Sequence, residues 1–122
     1  MRTKTTQTHI KKNPNIIRHP DYVYIGRGSK FGNPFSHIDI STALVKVETR
    51  DEAVDNHKKW LNGEIKLEMD PPSYMEIIEE LQNRILGCFC NSDQRCHGDN
   101  YISIIENYEK ENEIRIEDKD LF

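Results

Sequence analysis

A chain of 122 residues has room for one domain with a modest core. Charged residues make up 31% of it and its mean hydropathy is −0.80, so a helical membrane protein is excluded by the shortness of every apolar run. The net charge of −4 is unevenly spread. Residues 1–37 carry seven Lys/Arg against one acid, Asp21, and the remainder carries ten against twenty, which favours a local anion site over a long positive track for nucleic acid.

Residues 1–20 form a basic, Thr-rich segment in which Thr8–Lys11 and Asn15–Arg18 read as short strands. The first residues hold no apolar block ahead of a cleavage site, so a cytoplasmic protein is expected. His19-Pro20-Asp21 is a turn, and Tyr22–Ile25 is an aromatic, β-branched strand. It feeds a loop, Gly26–Phe35, and Leu44–Glu48 alternates weakly like another strand. Thr49 and Glu52 make a capping box, after which Ala53, Val54, His57, Trp60 and Leu61 recur at helical spacing until Asn62-Gly63. Ser73 and Glu76 make a second box, opening a helix that runs to about Asn83. Ile85–Cys90 is a buried strand. Cys96–Asp99 opens a third helix through Tyr101, Ile102, Ile105 and Tyr108. Residues 21–109 are the core domain and 110–122 an acidic tail, where Ile114–Ile116 reads as an edge strand or as disorder. The fold expected is a small α/β layered domain, a few-stranded sheet with three main helices.

The loop Gly26-Arg27-Gly28-Ser29-Lys30-Phe31-Gly32-Asn33 combines three glycines with two cations. Glycine lets backbone N–H groups approach a ligand, and Arg and Lys add charge-assisted donors, a composition suited to phosphate at the end of a strand. It is neither a Walker loop nor a dinucleotide fingerprint. A turn that needs glycine for geometry alone uses the same residues. Tyr22 and Tyr24 on one strand face, and Phe31 and Phe35 flanking the glycines, suit base stacking or plain packing.

All three cysteines, Cys88, Cys90 and Cys96, fall within nine residues, which points to reduced thiols, not a disulfide scaffold. With His97 they supply the ligand count of a structural zinc site, although adjacent Cys96 and His97 seldom reach one ion. Cys96 at a helix start is a candidate nucleophile with His97 or Asp99 as base, and Asp99 or His97 alone a candidate general acid. A binding reading uses His97, Gly98 and Asp99 at the helix start to hold phosphate or a ribose hydroxyl. Buried structural cysteines, above all Cys88, are the plainer alternative. Trp60 and His57 read as packing residues, and His9, His19 and His37 have no partner at informative spacing. In α/β folds ligands sit beyond the carboxyl ends of the strands, so the loop at 26–35 and the one at 90–99 are expected to face one pocket.

Tyr24–Phe35, Thr49–Ala53 with Trp60-Leu61, Leu86–Cys90 and Cys96–Asp99, in that order, resemble the domain-of-unknown-function family numbered 4326. The resemblance covers about residues 20 to 107 and implies a small bacteriophage or bacterial protein. Phe89 stands where that family usually has tryptophan, and Asn91–Arg95 replaces a shorter, proline-containing loop.

The expected function is binding of a small phosphorylated, nucleotide-type ligand through Gly26–Asn33, Cys90, His97, Gly98 and Asp99. In a phage setting such a binder would sequester a nucleotide immune signal, a cyclic nucleotide or an ADP-ribose derivative. The alternatives are an enzyme acting on a nucleotide or N-glycosidic bond through Asp99, His97 or Cys96, and a zinc-stapled adaptor using Cys88, Cys90, Cys96 and His97. Neither nucleic acid nor membrane is an expected partner, no cofactor other than that zinc is expected, and a homo-oligomer stays open.

Overall fold

The computed structural model describes residues 5–10, 13–37, 44–88 and 95–120, with side chains to residue 112. Its centre is a parallel three-stranded sheet. β5 (Ile85–Cys88) lies in the middle, with β1 (Thr6–His9) on one side and β2 (Tyr22–Tyr24) on the other. Thr6 and Tyr22 both sit opposite Ile85, and His9 opposite Cys88. The three carboxyl ends therefore open onto one edge. A two-stranded parallel ribbon, β3 (Phe35–Ser36) with β4 (Val45–Lys46), continues from the loop after β2.

Register explains one glycine in the central strand. Gly87 faces Tyr24, and a Cβ there would meet the Tyr22 ring at 2.4 Å. The Tyr22 ring thus lies across the bare backbone of β5.

Between β2 and β5 run α1 (Arg50–Leu61) and α2 (Tyr74–Leu81), and α3 (Gly98–Asp120) follows β5. The α2 box is complete: Glu76 N–H donates to Ser73 Oγ and Ser73 N–H to Glu76 Oε1. In α1 Thr49 caps as expected, but the Glu52 carboxylate takes the N–H of Glu48, one residue further out. The main core joins Ile25, Phe31, Ile77, Ile78, Leu81, Leu86, Cys88, Cys96, Tyr101 and Ile105. A second cluster under the ribbon holds Phe35, Val47, Ala53 and the buried Trp60.

Three local expectations are corrected. The first strand is Thr6–His9, not Thr8–Lys11. Residues 14–18 form a 3-10 turn, not a strand, because Pro14 presets a helical φ and removes the donor that a ladder would need. Ile114–Ile116 is no edge strand but lies inside α3, where the surrounding Glu and Lys are good helix formers.

Candidate functional site

The loop after β2 is a closed structure held by its own polar groups. Arg27 donates through Nη1 to the carbonyl of Asn33 at 2.6 Å and through Nη2 to that of Phe35 at 3.0 Å. Ser29 Oγ donates to the Gly26 carbonyl at 2.6 Å, and Tyr24 Oη to the Arg27 carbonyl at 3.1 Å. Gly28 has φ +85°, a left-handed conformation that favours glycine, and is exposed with open space where a side chain would be. Gly32 is required for a different reason: a Cβ there would stand 2.7 Å from the Gly26 carbonyl oxygen. Gly32→Ala is therefore expected to lower Tm by several degrees, read by a thermal melt, because backbone on both sides must shift.

Arg27 thus shapes the loop by crossing from its start to its end. Lys30 points away from it, toward α2, where its ammonium pairs with Glu76 and Glu80. The Glu76 carboxylate and then that of Glu80 hold Lys30 above its ordinary proton affinity. These pairs are exposed, so a dianion could displace them at little cost. Lys30→Ala is expected to give only a small, salt-sensitive loss of stability, measured by melts at low and high ionic strength.

Asn33 is buried and ties the loop to α1. Its Nδ2 donates to the Ala53 carbonyl at 3.0 Å, and its Oδ1 accepts the Phe35 N–H at 2.9 Å. Phe31 is buried in the main core, edge-on to Tyr101 with ring centroids 5.7 Å apart.

The start of α3 meets this loop directly. His97 Nε2 donates to the Ile25 carbonyl at 2.6 Å, so the residue after β2 and the residue before α3 are joined. Gly98 is buried, and a Cβ on it would stand 2.9 Å from Ile25 Cδ1 and 2.7 Å from Gln7 Nε2. Asp99 is exposed at the first turn of the helix, its N–H bonded to the Cys96 carbonyl. Because Nε2 of His97 carries the proton, its Nδ1 is an acceptor in the neutral ring and lies 3.6 Å from Cys96 Sγ. Cys96 Sγ is in turn 3.3 Å from Cys88 Sγ, and His9 Nδ1 is 3.8 Å from Cys88 Sγ. Both cysteines are buried and neither is in a disulfide. Cys90 lies outside the described residues, and among those described no group of three His, Cys, Asp or Glu is arranged to hold a metal ion.

A polar chain that spacing alone does not suggest runs beneath the loop. Asn100 Nδ2 donates to His57 Nδ1 at 3.0 Å and to the Val54 carbonyl at 3.0 Å. With Nδ1 accepting, His57 Nε2 carries the proton and donates to Tyr101 Oη at 3.2 Å. Tyr101 Oη then donates to the Phe31 carbonyl at 2.9 Å. The chain links α3, α1 and the glycine loop, and its members sit 43 to 70 residues apart. Burial, then the neighbouring His97, pushes His57 well below its ordinary value of 6.5.

The sign of the resulting pH dependence follows. The unfolded chain protonates His57 below about pH 6.5 while the folded one does not. Its contribution to stability is thus complete above that value. It is lost at about 1.4 kcal/mol per pH unit as pH falls toward the folded-state value. An NMR titration in which the His57 resonances stay those of a neutral ring until the protein unfolds is the expected result.

On the outer side, Arg95 just ahead of this site is anchored to α1, reaching Asp51 at 3.2 Å and Asp55 at 2.9 Å. Among the described residues no helix is long and apolar enough to cross a membrane.

The family model described as Domain of unknown function (DUF4326) matches residues 8–107. No curated protein and no solved structure matches the chain.

Proposed function

The chain belongs to the DUF4326 family, and from that premise we propose that it binds a small phosphorylated, nucleotide-type ligand at the carboxyl edge of its parallel sheet. The observation that carries this reading is the hydrogen bond from His97 to the Ile25 carbonyl. It seats the glycine loop and the start of α3 side by side, at the edge where parallel α/β sheets take their ligands. In this reading the phosphate meets the exposed loop at Gly28 and the amino-terminal end of α3, whose dipole favours an anion. Arg27 keeps the loop in shape, and Lys30 exchanges its α2 carboxylates for the phosphate. Asn33 acts through the loop, and Asp99 is placed to accept from a sugar hydroxyl. The biological role proposed is capture of a nucleotide signal, a cyclic nucleotide or ADP-ribose derivative, in the cytoplasm of a bacterial cell.

Isothermal titration of the purified protein with a panel of cyclic nucleotides and ADP-ribose derivatives tests this. At least one member is expected to bind. Arg27→Ala should lower its affinity tenfold or more, and Lys30→Ala should weaken it while leaving the fold intact. No heat with any member would end the proposal.

The contact between Cys96 Sγ and Nδ1 of His97 favours a second reading, in which the bound nucleotide is a substrate. Mass spectrometry of the ligand after incubation separates the two. Binding predicts a ligand recovered unchanged; catalysis predicts a product that is absent with Cys96→Ser.

A further inference from the structure

Cys88 is the last residue of the central strand and Cys96 stands two residues before α3. Their sulfurs are 3.3 Å apart and both residues are almost fully buried, at 1% and 2% exposure. Each has its own imidazole beside it: His97 Nδ1 is 3.6 Å from Cys96 Sγ and His9 Nδ1 is 3.8 Å from Cys88 Sγ. Gln7 Nε2 also donates to Cys88 Sγ at 3.7 Å. Both cysteines belong to the main core, and their sulfurs meet there with an imidazole beside each.

We propose that Cys88 and Cys96 are a dithiol modification site, converted by hydrogen peroxide to an intramolecular disulfide that pins the end of β5 to the start of α3. The geometry assigns each group a part. His97 Nδ1 accepts the Cys96 proton, since its other nitrogen is committed to the Ile25 carbonyl. The resulting thiolate attacks one peroxide oxygen, the O–O bond breaks, and hydroxide leaves with a proton as water, giving Cys96 sulfenic acid. Cys88, deprotonated toward His9, attacks the sulfenic sulfur, the S–O bond breaks, and a second water leaves. Two thiols and one peroxide become one disulfide and two waters. A small oxidant suits thiols this buried, and Cys88 stands at contact distance to resolve the sulfenic acid before further oxidation.

The test needs no ligand and no variant to begin. The reduced full-length protein is treated with hydrogen peroxide, alkylated under denaturing conditions and analysed as intact protein and as tryptic peptides. The expected result is a fall from three alkylated cysteines to one, restored to three by dithiothreitol. Fragmentation should place the bridge between Cys88 and Cys96, leaving Cys90 alkylated. Cys90→Ser should still lose both its thiols, whereas Cys88→Ser should leave a Cys96 sulfenic acid that dimedone traps. Three alkylated cysteines after peroxide, a bridge that uses Cys90, or direct overoxidation of Cys96 in the wild-type protein would each overturn the proposal.

Discussion

Asn33→Ala is expected to destabilise the protein by about 3 kcal/mol, one of the two largest effects of a single polar substitution in this fold. The side chain is buried and makes two bonds, from Nδ2 to the Ala53 carbonyl and to Oδ1 from the Phe35 N–H. Alanine leaves the Phe35 N–H without its acceptor in a dry site, and an unsatisfied buried group costs about 1–3 kcal/mol. The Ala53 carbonyl loses a donor, and a small void remains beside Ala53 and Phe35. Phe35 starts β3 and packs in the cluster under α1, so the damage reaches the ribbon as well as the loop. Chemical denaturation reads the loss as a lower midpoint at unchanged slope. Asn33→Asp discriminates the cause. It keeps the acceptor for Phe35, forfeits the donor to Ala53 and buries a charge, so it should be no better than alanine at neutral pH. If Asn33→Ala costs less than about 1 kcal/mol, the loop is not fixed to α1 through this side chain.

The same residue illustrates what could be read in advance. Asn33 stood out in the sequence as part of a glycine-rich, cationic loop, and its type suggested contact with a ligand. The structure gives it and Arg27 bonds to main-chain groups of the protein itself. Composition identifies a loop with many donors but not where those donors point. The two helix starts were legible because a cap and its partner lie three residues apart, as Ser73 and Glu76 do. The central strand was legible because Ile85–Cys88 is buried and apolar. β1 was harder to place, since Thr6–His9 is an edge strand with only one paired side and no apolar alternation. The 3-10 turn was obscured by Ile16 and Ile17, whose β-branching suggests a strand more strongly than Pro14 argues against one. Helix α3 outran its apolar stripe because the stripe marks only the part that packs against the core; the Glu- and Lys-rich remainder needs propensity alone. In the candidate site, His97, Gly98 and Asp99 were found as a motif, whereas His9, Asn100, Tyr101 and His57 were not. Their partners are neighbours in space only, and parallel pairing brings His9 beside Cys88 across 79 residues. A weak signal was available for two of them, since Asn100 and Tyr101 follow directly on the Cys96–Asp99 motif.

Removing the Tyr101 hydroxyl should have a similarly large effect for a different reason. Tyr101→Phe preserves the ring, its edge-on contact with Phe31 and its place in the core, so no cavity forms and the loss is purely polar. Two buried groups are orphaned at once, the Phe31 carbonyl and the Nε2–H of His57. At about 1–1.5 kcal/mol for each, the expected cost is about 2–3 kcal/mol. Burial pushes the phenol's pKa up, so it stays a neutral donor throughout the range in which the protein is folded. A double-mutant cycle with His57→Phe isolates the shared term. If Tyr101 and His57 form one chain, the two losses fall short of additivity by about 1 kcal/mol or more, because either change breaks the same bond. The ligand-binding consequence is separable from stability. Phe31 belongs to the glycine loop, and without the hydroxyl its carbonyl is no longer held to α3. Affinity for a nucleotide identified by titration should therefore fall in Tyr101→Phe even at temperatures where the variant is fully folded. Unchanged affinity in a folded Tyr101→Phe protein would mean that the relay supports the core alone. Additive losses in the cycle would mean that His57 and Tyr101 do not act as a unit.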